Sequence, residues 1–295
     1  MPLIRFPTPT GLVYTIDLTK IADRENPRTV EAPIFGNTAN TPFTVDWGDG
    51  TSTNFAAGAN TFPTHEYAQG AGDVFTVVIR SANGNLPRIG YIPGQAASNA
   101  NNLTYAVTSV DHFGGQTGGG TTLTYNYVLF SAANVTYCDP RLAGQQNLND
   151  LYKFFQNSGL NQPIESFCFD FAVLCSQYTF ATAFSNTKVY GVITSGLFRH
   201  CALAEQFSSA FINCTGLTAI AADAFDNCAS ITYLSQTFYG CSGIQGAPYI
   251  FWKADGSLDT DRFPNLTNGN NCYSGCSAAL RAQVPTEYGG TMTVS

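Results

Sequence analysis

Apolar and polar residues alternate in two stretches near the start of the chain, at 12–18 and at 43–47. This period of two is typical of strands in a half-buried sheet. An apolar run at 74–79 predicts a further strand, and Asp49-Gly50 predicts a tight turn, because glycine adopts positive φ at little cost. No helical periodicity of useful length interrupts the stretch. The pattern therefore predicts a small β-sandwich over residues 1–85.

A different pattern, an aromatic residue followed by two variable residues and a cysteine, repeats further along the chain. Its four copies are Phe198-Arg-His-Cys201, Phe211-Ile-Asn-Cys214, Phe225-Asp-Asn-Cys228 and Phe238-Tyr-Gly-Cys241. The phenylalanines are 13, 14 and 13 residues apart. Such regularity is typical of stacked units that cannot bury their apolar faces alone. We therefore assign these eight Phe and Cys residues to the core of a repeat region.

Degenerate copies extend the repeat towards the N-terminus. Phe155-Gln-Asn-Ser158 and Phe184-Ser-Asn-Thr187 replace the cysteine by a small polar residue. Pairing consecutive copies gives a unit of about 27 residues, with Phe184, Phe211 and Phe238 in one class. The pattern predicts a solenoid over 142–295, with an insertion near 245–271 and a C-terminal cap after it.

The segment 86–141 carries a weaker signal. Loops rich in Gly, Asn and Ser at 94–102 and 114–120 precede a predicted strand at 125–130. We interpret 86–141 as a connecting or capping region, and 103–113 as a degenerate first turn that caps the solenoid, because a terminal repeat needs a polar outer face.

Composition narrows the partners that this protein could bind. Charged residues make up only 11% of the chain and the net charge is −7, so the clustered Lys and Arg that phosphate backbones require are missing. The same lack of basic runs argues against an anionic membrane surface. No apolar run is long enough for a transmembrane helix, and the proline-rich start lacks the apolar core of a signal peptide. We expect no nucleic acid partner, no membrane insertion and no signal peptide.

The nine cysteines are the first candidates for chemistry. Their odd number and their repeat spacing favour reduced, buried thiols over disulfides. Only Cys272 and Cys276 have the spacing of a zinc-ligand pair, and no second pair is near. His200 stands next to Cys201, but adjacent side chains diverge on regular elements. We therefore expect packing rather than metal binding or nucleophilic catalysis.

Carboxylates and histidines give equally little indication of catalysis. Asp46 and Asp49 are weak candidates for calcium ligands, since their spacing departs from the EF-hand pattern and turn capping accounts for them as well. No hydrolase, phosphate-loop or dinucleotide motif occurs. Acidic residues are sparse and show no converging pair of the glycosidase kind. We expect no enzymatic activity and no cofactor.

An aromatic run at 248–252 is the best sequence candidate for a contact surface. It contains Tyr249, Phe251 and Trp252, residue types that protein interfaces favour. The same run is also consistent with a local core. Both interpretations stay open at the level of sequence.

Motifs in the first 80 residues resemble the PKD family of immunoglobulin-like domains. The family signature is a turn of the W-x-GDG type, then H-x-Y, then an apolar strand. The chain has Val45-Asp-Trp-Gly-Asp-Gly-Thr-Ser52, His65-Glu-Tyr67 and the 74–79 run in that order, although Trp47 stands directly before Gly48. The resemblance implies an immunoglobulin-like sandwich with a spacer or adhesive role.

The repeats resemble BspA-like leucine-rich repeats, in which AF-x-NC-x-x-LT-x-I recurs. The matching segments are Ala210-Phe-Ile-Asn-Cys-Thr-Gly-Leu-Thr-Ala-Ile220 and Ala224-Phe-Asp-Asn-Cys-Ala-Ser-Ile-Thr-Tyr-Leu234. The two resemblances together imply a mainly β protein with some α structure, an N-terminal PKD-like sandwich followed by a leucine-rich-repeat solenoid.

Proteins with this pairing occur on bacterial surfaces and in bacteriophages. The missing export signal and the unpaired cysteines favour the virion. We therefore expect a non-enzymatic structural and interaction protein displayed on a virion, as a capsid decoration, head-fibre or tail-associated receptor-binding protein. Its expected partners are capsid or tail proteins and a host-surface protein or glycan, within a homo-oligomer or larger assembly. The alternatives are a bacterial cell-surface or secreted adhesin and, with less support, a carbohydrate-active enzyme.

Overall fold

The computed structural model describes residues 11–33, 42–56, 63–81, 100–113, 134–139, 151–167, 169, 180–246, 250 and 262–292. The described chain is mainly β, with few and short helices. It divides into two compact units, Met1–Asn147 and Leu148–Ser295. We call these unit 1 and unit 2.

Unit 1 contains a six-stranded sheet. Its strands are β1 (Leu12–Asp17), β3 (Phe43–Asp46), β4 (Ser52–Phe55), β6 (Val74–Ser81), β7 (Val107–Phe113) and β8 (Tyr137–Cys138), in the spatial order β4-β3-β6-β1-β7-β8. Only the β7–β8 pair is parallel. A separate antiparallel pair joins β2 (Thr29–Glu31) to β5 (Thr64–Glu66).

The alternation of apolar and polar residues in the sequence corresponds to an alternation of buried and more exposed side chains in the sheet. In β6 the side chains of Phe75, Val77 and Ile79 are buried, while their neighbours are more exposed. Burying such a face stabilises a sheet by about 25 cal/mol per Å² of apolar surface removed from water. The strands predicted at 12–18, 43–47 and 74–79 are confirmed as β1, β3 and β6.

The segment that we assigned to a cap of the repeat region belongs to unit 1 instead. Residues 100–106 form helix α1 (Ala100–Ala106), and β7 follows it without a break. β7 pairs antiparallel with β1, which places it in the interior of the sheet. This main-chain pairing overrides our interpretation of 103–113 as a solenoid turn. The strand predicted at 125–130 lies outside the described residues.

Unit 2 is built from turns that hydrogen-bond to the next turn along the chain. Its described strands are β9 (Tyr190–Ile193) and β10 (Gly216–Ile220), which pair in parallel. Its described α-helix is α2 (Ala278–Arg281). Main-chain N–H groups donate to carbonyls 26 to 34 residues ahead, in the pairs Phe155 to Ala183, Phe184 to Ala210, Phe211 to Thr237 and Phe238 to Cys272. These bonds satisfy polar backbone groups that would be costly to bury unpaired.

Part of the predicted insertion takes part in this hydrogen bonding. Thr267 N–H donates to the Thr232 carbonyl, and Leu234 and Gln236 donate to Asn268 and Asn270. The segment that interrupts the period therefore ends before Thr267 rather than at 271. The longer spacing between Phe238 and Tyr273 accommodates extra residues without breaking the hydrogen-bonded stack.

Candidate functional site

The phenylalanines of the repeat form a continuous column inside unit 2. Phe211 lies between Phe184 and Phe238, with ring centroids 5.3 and 5.5 Å away and ring planes within 4° of parallel. Phe155 and Tyr273 extend the column at its two ends, at 5.2 and 5.4 Å. Stacked aromatic pairs at such distances add stabilisation beyond the area that they bury.

The second class of phenylalanines packs beside this column. Phe198 and Phe225 lie 4.9 Å apart, and Phe198 also meets Phe211 at 6.4 Å. The structure places all eight predicted repeat residues in the core, since Phe198, Cys201, Phe211, Cys214, Phe225, Cys228, Phe238 and Cys241 are each at most 1% exposed.

The cysteine thiols do more than fill space. Cys214 Sγ donates to the Phe184 carbonyl at 3.0 Å and Cys241 Sγ to the Phe211 carbonyl at 2.9 Å. Thr187 occupies the corresponding position one turn earlier, and its hydroxyl donates to the Phe184 carbonyl at 2.8 Å. Cysteine and threonine both supply a small side chain with a donor here, although Cys214 and Cys241 donate to the preceding turn and Thr187 donates to its own turn. Sequence analysis identified the small residue but missed the hydrogen bond.

Burial makes these thiols unreactive. It raises the pKa of Cys214 to about 11 and the pKa of Cys228 to about 12, so little thiolate forms near neutral pH. Thiolate is the nucleophilic and metal-binding form. The seven cysteines within the described residues are buried and form no disulfide with one another.

We expect Cys201, Cys214, Cys228 and Cys241 to resist alkylation in the native protein. Labelling with a maleimide at pH 8, followed by peptide mass spectrometry, should be at least about 100-fold slower than in urea, because burial limits both access and the thiolate fraction. Rapid native labelling of all four would contradict the packed thiol positions.

Cys272 and Cys276, which have the spacing of a zinc pair, and the neighbours His200 and Cys201 were weighed for chemistry in the sequence. Cys272 and Cys276 are buried, and Cys276 Sγ donates to the Phe238 carbonyl at 3.1 Å. His200 is exposed whereas Cys201 is buried. Across the described ranges, no group of three or more His, Cys, Asp and Glu side chains is placed to hold a metal ion.

An asparagine ladder follows the outside of the stack. Asn186 Nδ2 donates to Asn157 Oδ1, and Asn213 Nδ2 donates to Asn186 Oδ1, both at 2.8 Å. All three residues have φ close to +60°, a conformation that asparagine tolerates better than most residues. Sequence analysis missed this ladder, although an asparagine recurs two residues after each of these phenylalanines.

An open groove of about 550 Å³ lies on the surface of unit 2. Its lining residues are Glu205, Ser230, Thr232, Pro264, Asn265, Leu266 and Thr267. Main-chain hydrogen bonds connect three of the residues that line the groove, which we call its floor: Glu205, Thr232 and Thr267. Thr232 N–H donates to the Glu205 carbonyl at 2.8 Å, and Thr267 N–H donates to the Thr232 carbonyl at 2.9 Å. The Thr232 and Thr267 hydroxyls donate to the same two carbonyls. Sequence analysis did not identify this groove.

In unit 1, the residues of the PKD-like motif form one connected cluster. Trp47 stacks on His65 at 4.9 Å, and its carbonyl accepts a hydrogen bond from the Tyr67 hydroxyl at 2.9 Å. Tyr67 stacks in turn on Phe75 at 4.1 Å. His65 Nε2 donates to Asp49 Oδ2 at 2.7 Å. The motif therefore joins the β3–β4 turn to β5 and β6.

The two candidate calcium ligands are engaged in the turn itself. Asp46 Oδ1 accepts from the Gly48 N–H, and Asp49 Oδ1 accepts from both the N–H and the hydroxyl of Thr51. The other Asp49 oxygen accepts from His65. Carboxylates used in this way act as turn caps, the alternative that sequence analysis also allowed. Asp46 and Asp49 stay weak, untested candidates for calcium ligands.

The Asp49 contacts predict a loss of unit 1 stability in acid. Burial raises the pKa of Asp49, but hydrogen bonds from Thr51 and His65 outweigh it and lower the pKa to about 2. A carboxyl group whose pKa is lowered by folding contributes stability above its unfolded pKa of about 3.9, and loses it as the pH falls towards the folded value. We expect a loss of about 1–2 kcal/mol between pH 4 and pH 2.

The measurement is urea unfolding followed by the fluorescence of Trp47, in a Trp252→Phe background that leaves it as the only tryptophan of the chain. Asp49→Asn should flatten the pH dependence over this interval. Glu66→Gln removes an exposed carboxylate from β5 and should leave the dependence unchanged. Equal flattening in both variants would show that the loss does not come from Asp49.

A buried ionisable pair in unit 1 escaped sequence analysis. His112 Nδ1 lies 3.3 Å from Asp139 Oδ2, and both side chains are less than 9% exposed. They are 27 residues apart on β7 and just after β8, so no local motif links them. The parallel pairing of the two strands brings them together.

The aromatic run at 248–252, the sequence candidate for a contact surface, lies mostly outside the described residues. Tyr249, Phe251 and Trp252 lie outside the described residues, while Ile250 between them is buried.

No helix in the described part of the chain is long and apolar enough to cross a membrane.

Comparison with known proteins identifies no relative of this chain. No protein-family model, curated protein or solved structure matches the sequence or the fold.

Proposed function

We propose that this protein is a non-enzymatic structural and interaction protein, displayed on the outside of a bacteriophage virion. The observation that carries the proposal is the stack of unit 2. A Phe column and repeated main-chain hydrogen bonds give a rigid support, and exposed polar groups recur on its surface from turn to turn. Stacked repeats of this kind offer extended binding surfaces.

The architecture within this proposal is a PKD-like sandwich followed by a BspA-like leucine-rich-repeat solenoid. The contacts among Trp47, His65, Tyr67 and Phe75 support the first part, because they join the three pieces of the motif. The spacing of the Phe column supports the second, because each repeat contributes one ring.

The state of the thiols supports assembly in a reducing compartment. Seven cysteines in the described residues are buried and form no disulfide with one another, whereas extracellular proteins more commonly pair such residues as disulfides. A virion protein folds in the host cytoplasm before release. This observation favours the virion over a secreted adhesin.

In the proposed arrangement one unit attaches the protein to the particle and the other presents a surface. The partners are capsid or tail proteins on one side and a host-surface protein or glycan on the other, with several copies of the chain in each particle. Docking by unit 1 would leave the polar surface of unit 2 available.

Quantitative mass spectrometry of purified virions tests the proposal. We expect the protein to copurify with the major capsid protein through a density gradient. A ratio of hundreds of copies per particle would identify a capsid decoration, and a few copies would identify a tail or fibre component. Absence from virions, with the protein found on the surface of uninfected cells, would overturn the proposal in favour of a bacterial adhesin.

A further inference from the structure

We propose that the groove between Glu205 and Thr267 binds a neutral saccharide. The inference rests on the proposed function, since it gives the displayed surface of unit 2 a ligand class. It depends on the groups that line the groove, on their charge and on the rigidity of the floor.

The groove presents hydrogen-bonding groups that the protein itself does not use. The side chains of Glu205, Ser230 and Asn265 make no hydrogen bond within the described residues. Together they offer carboxylate and amide acceptors, an amide donor and a hydroxyl that does both. A ligand that carries several hydroxyl groups can pair with all of them at once.

The floor adds acceptors at a regular spacing. The Thr232 and Thr267 hydroxyls donate to backbone carbonyls, so their lone pairs can still accept from a ligand. They lie on neighbouring hydrogen-bonded turns, and strands paired in this way are about 4.8 Å apart. This spacing is close to the width of one pyranose ring. The two threonines can thus accept hydrogen bonds from two hydroxyl groups of the same sugar.

The apolar part of the lining matches the remaining face of a sugar. Pro264 and Leu266 are its apolar residues, and they flank Asn265. The C–H face of a pyranose can pack on them while its hydroxyl groups bond to the polar side. An extended peptide would need deeper apolar pockets for its side chains than these two residues provide.

Charge excludes the common anionic ligands. Among the described residues, those that line the groove include no Lys, Arg or His, and Glu205 is the one that is charged. Phosphate, sulfate and acidic sugars would therefore meet a carboxylate without a compensating cation. A neutral sugar gains from Glu205 instead, because a hydroxyl donates strongly to an ionised acceptor.

The geometry is also prepared in advance of binding. The Glu205 carbonyl accepts from the N–H groups of Thr232 and Tyr233, and the Thr232 carbonyl accepts from Thr267 and Asn268. These bonds fix the backbone on both sides of the groove, so little ordering is required when a ligand enters.

The test is saturation-transfer NMR and calorimetry on the full chain. The probes are galactose, glucose, mannose, N-acetylglucosamine and their β-linked disaccharides, with sialic acid as an anionic probe and spermidine as a cationic one. We expect saturable binding of at least one neutral sugar below about 10 mM, the range of a weak single site. Glu205→Gln and Asn265→Ala should each weaken it about five- to tenfold, the usual effect of one lost hydrogen bond.

Asn227→Ala is the matched control, because Asn227 is an exposed amide of unit 2 that does not line the groove. Its affinity should equal that of the unaltered protein, and all variants should keep the same far-UV circular dichroism. Failure of every neutral sugar to bind, or binding that neither groove variant weakens, would overturn the inference. Binding of spermidine alone, abolished by Glu205→Gln, would replace the saccharide by a cationic ligand. Each of these results leaves the copy number in virions unaffected, so the proposed function is tested separately.

Discussion

Replacing Phe211 by Ala should destabilise unit 2 by about 3–5 kcal/mol, the range for a buried aromatic residue truncated to alanine. The ring is fully buried between Phe184 and Phe238. Collapse of the neighbouring turns into the resulting cavity is opposed by the main-chain bonds from Phe184 to Ala210 and from Phe211 to Thr237. Because the site cannot relax, the substitution should cost the full cavity penalty.

The measurement combines urea unfolding by circular dichroism with hydrogen exchange of the backbone amides at Phe184, Phe211 and Phe238. Tyr239→Ala is the control, since Tyr239 lies on the next turn with its side chain 41% exposed. Surface substitutions of that kind usually change stability by less than about 0.5 kcal/mol. A loss below about 1 kcal/mol for Phe211→Ala would show that the column is not the main support of the stack.

The Phe column is the feature that the sequence predicts best. A spacing of about 27 residues between Phe184, Phe211 and Phe238 equals one full turn of the chain, so the period alone indicates which rings meet. The sequence predicts only one part of the role of the cysteines. Their small size follows from the pattern, but the hydrogen bond from Cys241 to the Phe211 carbonyl depends on the position of a neighbouring turn.

Strand β7 shows why part of unit 1 was assigned wrongly. Its pairing with β1 shifts register between Val13 and Tyr14 and again between Thr15 and Ile16. Each shift moves the following side chains out of strict alternation, so the period-two signal that predicted β1 is lost in its partner. Such a strand is stabilised by pairing with its neighbours, and its own apolar residues do not alternate. It therefore cannot be recognised from the spacing of apolar residues.

The groove of unit 2 gave no sequence signal for a different reason. Glu205 belongs to one turn, Thr232 to the next and Thr267 to a third, which follows the longer interval after Phe238. No local motif contains these residues, and the irregular interval hides the equivalence of Thr232 and Thr267. Only their hydrogen bonds to preceding carbonyls place them side by side.

Gly48→Ala should destabilise unit 1 by about 2–5 kcal/mol, through two effects that add. Gly48 has φ +82°, a region that costs a residue with a side chain about 1–2 kcal/mol. A Cβ atom there would also lie 2.5 Å from the Thr76 carbonyl oxygen, which is fixed in β6. Overpacking against fixed backbone typically costs a further 1–3 kcal/mol or so. The close approach is what lets the turn after Trp47 pack on β6.

Gly50→Ala separates the two effects, because the same turn provides the matched position. Gly50 has φ +90°, but a Cβ atom there would meet no atom of the described residues within 4 Å. Its substitution should therefore cost only the conformational part, about 1–2 kcal/mol. Urea unfolding followed by Trp47 fluorescence, again in the Trp252→Phe background, measures both. Equal losses at the two positions would contradict the contact between Gly48 and Thr76. A larger loss at Gly48 would show that the turn is held by packing on β6 as well as by its own conformation.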